Sequence, residues 1–211
     1  MENEPFVKLC VIVLVVYSTS LHELSHAFSA NYFGDPTPGR RGRLTWNPIP
    51  HLSPIWTAVI LPVLLFMTDR GLFCLATTPV TPSRFRRPMR DFALVSLCGP
   101  LTNFLCAALM IGILWIPGVW TDPENYNMLI LKQAAMWNVI MGMFNLLPIP
   151  PLDGYTVIRG LLPLWLRQQG DALARSGTLG LFVAILLGGA IFHSISDPLV
   201  SVYQSLLPGG G

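Results

Sequence analysis

The chain has 211 residues, of which 52% are hydrophobic and 11% charged, and thirteen Lys and Arg against eleven Asp and Glu leave a net charge of +2. Soluble domains carry about 25% charged residues, so the material for a water-facing surface is missing. The low charge excludes a nucleic-acid binder and the apolar content a disordered chain, which leaves a membrane-embedded protein.

A membrane span needs about 20 mostly apolar residues. The first such stretch is 6–30, with Glu2 and Glu4 ahead of it and no small-residue cleavage site behind it, so a removable signal peptide is not expected. Its second half carries His22, Glu23 and His26. Residues 31–53 are polar and rich in Gly and Pro. Within them 42–52, with Leu44, Thr45, Trp46 and Asn47, is short enough for a strand or hairpin. Residues 54–80 are apolar again but broken by Pro62, by Asp69-Arg70-Gly71 and by Pro79, and read as one bent helix or two short ones. Clean spans follow at 91–115 and 126–147, then a short apolar piece at 155–166 and a further span at 178–195. The prediction is an all-α polytopic membrane protein in one domain over 1–208. It has a three-helix catalytic core (6–30, 91–115, 126–147), additional spans and a re-entrant, β-hairpin-like segment, with 209–211 as a tail outside the fold. Cys10, Cys74, Cys98 and Cys106 have no paired spacing and read as small buried hydrophobes. The six tryptophans, Trp46, Trp56, Trp115, Trp120, Trp137 and Trp165, read mostly as interfacial belts.

Orientation follows the distribution of Lys and Arg outside the spans. If 54–80 dips into the bilayer and returns, Arg40, Arg41, Arg43, Arg84, Arg86, Arg87, Arg90, Arg159, Arg167 and Arg175 share one side, against Lys8, Arg70 and Lys132. A single crossing gives a less uneven split. The re-entrant reading places the N-terminus outside and the 31–53 side in the cytosol.

The chemistry is carried by Leu21-His22-Glu23-Leu24-Ser25-His26, an H-E-x-x-H inside a predicted helix. Positions i and i+4 share a helix face, so His22 and His26 can present two imidazoles to one ion, with Glu23 beside them as a base. Such sites hold Zn²⁺ with three protein ligands, leave a fourth position open and bring the pKa of water there to about 7. A satisfied polar cluster is the plainer reading. Within a bilayer it is the weaker one, because a central carboxylate costs at least about 2.5 kcal/mol and marks a functional site.

A third ligand must come from elsewhere. Asp91 opens a span, and Asp122 and Glu124 sit in a short loop. Asp153 follows Pro148-Ile149-Pro150-Pro151-Leu152, where three prolines in four positions cannot continue a helix. Irregular backbone at a span end must line a cavity or pack within protein, and Gly154 lets the chain turn so that Asp153 can point back at the ion.

His22-Glu23-x-x-His26 together with Asn145-x-x-Pro148-x-Pro150-x-x-Asp153-Gly154 resembles the site-2 protease family of intramembrane zinc metalloproteases. Gly99-Pro100-Leu101-Thr102-Asn103 resembles the G-P-x-x-N segment of that family's middle core helix. The resemblance covers about residues 6–160, in the compact branch without PDZ or CBS modules. Ser25 stands where a glycine is often found. The resemblance implies one Zn²⁺ held by His22, His26 and Asp153, with Glu23 as catalytic base. It also implies hydrolysis of peptide bonds within or beside transmembrane segments of substrate proteins, in a multi-pass protein of a prokaryotic cytoplasmic membrane. A shared side for the His22/His26 and Asp153 span ends again favours the re-entrant topology and a site opening to the cytosol.

Three weaker assignments accompany these. Asn145 is a candidate for substrate or oxyanion contact, with a helix–helix hydrogen bond as the alternative. Asn103 is a second such candidate, with packing near Gly99 as the alternative. Leu44, Thr45, Trp46 and Asn47 offer an edge for an extended substrate segment, with a capped loop as the alternative. His51 and His193 are expected to be structural. A metal transporter should show ligands repeated along a path or inverted repeats, and neither is present. A catalytically inactive helix-binding scaffold should have lost Glu23 or a ligand, and all four residues are present.

Overall fold

From Glu4 to Phe33 there is no glycine, and Pro5 sits in the first turn where a missing N–H is harmless, so one 30-residue helix, α1, forms. Gly34 ends it at a φ of 107°, with its own N–H on Asn31 O and the Asp35 N–H reaching back to Ala30 O. That pair of bonds closes the last carbonyls, and the left-handed turn needs the missing Cβ. The computed structural model describes residues 4–51, 78–117, 125–177, 180, 183–184, 186–187 and 200–207. After α1 come a single helical turn, α2 (Thr37–Arg40), an irregular loop and a 3-10 turn at Ile49–His51. Thr78 to Thr81 runs without regular structure into a 3-10 turn at Pro82–Arg84. The helices α3 (Pro88–Leu114), α4 (Tyr126–Asn145), α5 (Asp153–Ile158) and α6 (Leu164–Arg175) follow.

The three predicted core spans are therefore helices, each extending within a few residues of its expected bounds. The 155–166 piece resolves into α5, a 3-10 turn at Arg159–Leu161 and the start of α6. The strand expected in 42–52 is not formed, and no strand occurs among the described residues. Local bonds explain this. Thr45 Oγ1 accepts the Asn47 N–H at 3.1 Å, Asn47 Oδ1 accepts the Ile49 N–H at 3.1 Å, and His51 Nε2 donates to Thr45 O at 2.9 Å. Side chains that bond backbone two residues on bend it out of the extended form, and Pro48 and Pro50 have no N–H for a ladder. The re-entrant segment proposed for 54–80 lies outside the described residues except for 78–80, as do Cys74, His193 and most of the 178–195 span.

Helices α1, α3 and α4 contact one another pairwise, and α5 packs on α3. Val7, Val11 and Val15 of α1, one helical turn apart, meet Ile130 and Met141 of α4. Trp137, half-buried, packs against this cluster, whereas Trp46, Trp115 and Trp165 are exposed. Ala30, Phe85 and Val95 join the far end of α1 to α3. Buried Ser18, Thr19 and Ser20 each donate to the carbonyl four residues back, so the hydroxyls sit in an apolar helix with their hydrogens satisfied.

Helices α1 and α3 are long and apolar enough to cross a membrane. Their outer faces are apolar as well: Phe6, Leu9, Val13 and Tyr17 on α1, and Leu101, Leu105 and Leu109 on α3. Stripes of this kind suit lipid and not water.

Helix α6 is strapped to α5. Arg159 holds the Asp171 carboxylate through both oxygens, at 2.6 and 2.5 Å, and the Tyr155 hydroxyl donates to Asp171 Oδ1 at 2.9 Å. Gly170 lies where any Cβ would come within 2.4 Å of the Tyr155 hydroxyl. The strap fixes the helix that begins at Asp153.

Candidate metal centre and active site

His22 and His26 sit one turn apart on the buried face of α1, and Glu23 beside them is buried too. The segment after α4 brings Asp153 back to them. Asn145 ends the helix, the proline-rich stretch reverses the chain, and Gly154 passes so close to the end of α4 that a Cβ would lie 2.1 Å from Leu146 O. Glycine is required there by the close approach of two backbones.

The result is a tight triangle. His22 Nε2 lies 3.0 Å from His26 Nε2, and Asp153 Oδ2 lies 3.2 Å from the first and 3.4 Å from the second. The protons on the far sides of the rings decide what this triangle means. The Val95 carbonyl can only accept, so His26 Nδ1, at 2.8 Å from it, carries a hydrogen. Asn103 donates its amide to Asn138 Oδ1 at 3.3 Å and so turns its oxygen to His22 Nδ1, 2.5 Å away, which must donate. With both Nδ1 atoms carrying hydrogens, the two Nε2 atoms face each other and a carboxylate oxygen. Three electron-rich atoms this close require a cation or a proton among them. Ligands at about 2.0–2.1 Å around a tetrahedral ion stand about 3.3 Å apart, which the triangle matches within a few tenths.

Gly99 makes room for it. A Cβ there would fall 2.4 Å from His26 Nε2 and 2.5 Å from His22 Nε2. Pro100, inside α3, offers no N–H to the Ser96 carbonyl one turn back, next to Val95, whose carbonyl holds His26.

Behind His22 runs a one-way chain of donors. His22 gives its hydrogen to Asn103, Asn103 to Asn138, Asn138 to Ser18 Oγ at 3.0 Å, and Ser18 to Leu14 O at 2.8 Å. Asn138 places its second amide hydrogen on Ala134 O at 2.9 Å. This chain sets both the tautomer and the direction of the His22 ring.

The comparisons agree with this chemistry. The profile of peptidase family M50 matches residues 124–189, which include Asp153. YwhC of Bacillus subtilis (strain 168) is 32% identical over 186 residues, 84% of this chain and 78% of its own. The chain belongs to peptidase family M50. Two Rip2 proteins are also similar. That of Mycolicibacterium smegmatis is 31% identical over 186 residues, 84% of this chain and 67% of its own, and that of Mycobacterium tuberculosis (strain ATCC 25618 / H37Rv) is 32% identical over 202 residues, 90% and 74%. All three bear names that propose a zinc metalloprotease. No solved structure matches the chain. The M50 chain is accordingly a membrane-associated zinc metalloprotease, and zinc is the cation that its two imidazoles and carboxylate suit.

Other expected site residues fall elsewhere. Asn103 is fully buried, with its oxygen on His22 Nδ1 and one amide hydrogen on Asn138, so it stands behind a histidine. Asn145 places one amide hydrogen on Met141 O of its own helix at 3.1 Å. Residues 44–47 of this M50 protein form turns and present no strand edge. Three contributors escape the sequence motifs: Val95 through its backbone, Asn138 in the middle of an apolar helix, and Thr78, whose hydroxyl lies 2.7 Å from Glu23 Oε2. Asn138 alone left a signal, as the one amide in the otherwise apolar run 134–144.

Proposed function

We propose that this M50 metalloprotease is an intramembrane endopeptidase, cutting peptide bonds within or next to transmembrane segments of other proteins. One observation carries the reading. His22, Glu23 and His26 are only 5–7% exposed and lie within a 30-residue apolar helix, about 27 to 33 Å from its first residue and at least about 10 Å from its last at 1.5 Å per residue. Ionisable groups at such depth serve chemistry performed there.

His22, His26 and Asp153 are the residues that hold the ion. Zinc supplies, when bound, a Lewis acid that acidifies water and polarises the scissile carbonyl. Glu23 takes the proton from the attacking water and hands it to the departing amine nitrogen, so the base is regenerated within one turnover. Asn103 and Asn138 keep His22 aimed, and the second amide hydrogen of Asn145 is offered to the substrate backbone at the end of α4. The helical substrate must unwind first, since a helix hides its carbonyls in its own hydrogen bonds.

The multi-pass topology, with the N-terminus outside and the site open to the cytosol, rests on the ten-to-three distribution of basic residues. Relatives from Bacillus and the mycobacteria support a prokaryotic cytoplasmic membrane. The test is cleavage of single-span reporter proteins by the purified enzyme and by Glu23→Gln in lipid nanodiscs. Cuts mapped within or beside the reporter span, absent with Glu23→Gln, support the proposal. Zinc bound without cleavage of any reporter supports an inactive helix-binding scaffold, and cleavage confined to soluble peptides contradicts an intramembrane role.

A further inference from the structure

We infer that Thr78 is a positioning residue for Glu23, resting on the reading of Glu23 as base. Thr78 lies 55 residues from Glu23 in sequence, yet its hydroxyl stands 2.7 Å from Glu23 Oε2 and 2.9 Å from Glu23 O. Glu23 is buried, so a carboxylate without a donor there would be destabilised and free to choose among rotamers. The hydroxyl supplies a donor from a fixed point outside the helix that carries Glu23. It turns the carboxylate to a single direction relative to His22 and His26. The Glu23 carbonyl is a second acceptor for the same hydrogen, so the threonine is not left unpaired when the carboxylate turns to its work.

The fixed point is built separately. Asp35, fully buried just past the end of α1, accepts the Thr81 N–H at 2.6 Å through Oδ2, and accepts the Thr37 N–H at 3.0 Å and the Thr37 hydroxyl through Oδ1. The Thr37 and Thr81 hydroxyls meet at 3.0 Å. Val80 packs on the cluster of Ala30, Phe85 and Val95. The short run from Thr78 to Thr81 is therefore pinned at its far end to the loop after α1 and at its near end to the base itself. Neither pin belongs to the metal-binding triangle.

The experiment compares wild type, Thr78→Val, Thr78→Ser and Glu23→Gln, each zinc-loaded in nanodiscs, on a single-span reporter that the wild type cleaves. Valine matches threonine in shape and lacks the hydroxyl. The expected result for Thr78→Val is a fall in kcat of about 10- to 100-fold at unchanged KM and unchanged zinc content, with serine restoring most of the rate. An infrared measurement needs no substrate: the carboxylate band that disappears in Glu23→Gln should shift in Thr78→Val and return in Thr78→Ser. Wild-type kcat in Thr78→Val while Glu23→Gln is inactive overturns the role of Thr78 alone, as does a serine variant as slow as valine. Activity retained by Glu23→Gln overturns the reading of Glu23 itself.

Discussion

Replacing Gly99 with alanine adds one methyl group opposite the two imidazoles. Its carbon would sit 2.4 Å from His26 Nε2, 2.5 Å from His22 Nε2 and 2.6 Å from His22 Cε1, where ordinary contact begins at 3.4 Å. Relief requires a movement of about 1 Å by the rings or by α3, whereas metal sites tolerate about 0.2 Å in their ligand distances. The rings have little freedom, because Asn103 holds one from behind and the Val95 carbonyl holds the other. We expect Gly99→Ala to lower zinc affinity by 100-fold or more, as an order of magnitude, and to destabilise the fold by about 1–3 kcal/mol through overpacking. The assay is metal content after dialysis against graded chelator, with thermal unfolding in parallel. A variant that keeps one zinc per chain at wild-type affinity would refute the close packing of α3 on the ligand pair.

Three further outcomes follow from the same geometry. Asn103→Leu keeps the number and branching of heavy atoms but removes the acceptor for His22 Nδ1, and should weaken zinc binding about 10- to 100-fold in a metal-competition titration, while Asn103→Asp retains the acceptor and more of the affinity. Gly154→Ala places a carbon 2.1 Å from Leu146 O and 2.5 Å from Leu147 O, backbone atoms that cannot swing away, so Asp153 should be displaced and zinc lost while the total helix content by circular dichroism is kept. The third concerns the strap on α5: Arg159 beside Asp171 holds that carboxyl below the usual carboxylate range. A depressed acid stabilises the fold above its ordinary pKa and loses that contribution as pH falls through the depressed value. Asp171→Asn should therefore lower the unfolding midpoint by the equivalent of on the order of 1 kcal/mol at neutral pH, and the difference from wild type should shrink only below about pH 4.

The three proposed ligands are legible because they combine helical spacing with residue types that lipid excludes. His22 and His26 at i and i+4 announce a shared face, and Asp153 stands after prolines that forbid a helix. What remained hidden lies in contacts that no local pattern encodes. Thr78 is an ordinary threonine until the fold carries it 2.7 Å from Glu23, and Val95 contributes only a carbonyl. Asn103 is visible as a motif residue with two readings, packing or substrate contact, and only the packing of α3 and α4 shows that Asn138 takes one of its amide hydrogens while its oxygen faces His22. The strand at 44–47 failed for a related reason. Its apolar and β-branched residues suit a strand, but Thr45 and Asn47 bond the backbone two residues on, and local turns won over pattern.

The most direct measurement is zinc stoichiometry by mass spectrometry on five purified chains. We predict one ion per chain in wild type and in Glu23→Gln, and none retained through chelator dialysis in His22→Ala, His26→Ala or Asp153→Ala. Retention of the ion by Asp153→Ala, or its loss from Glu23→Gln, would contradict the division of these four residues into three ligands and a base.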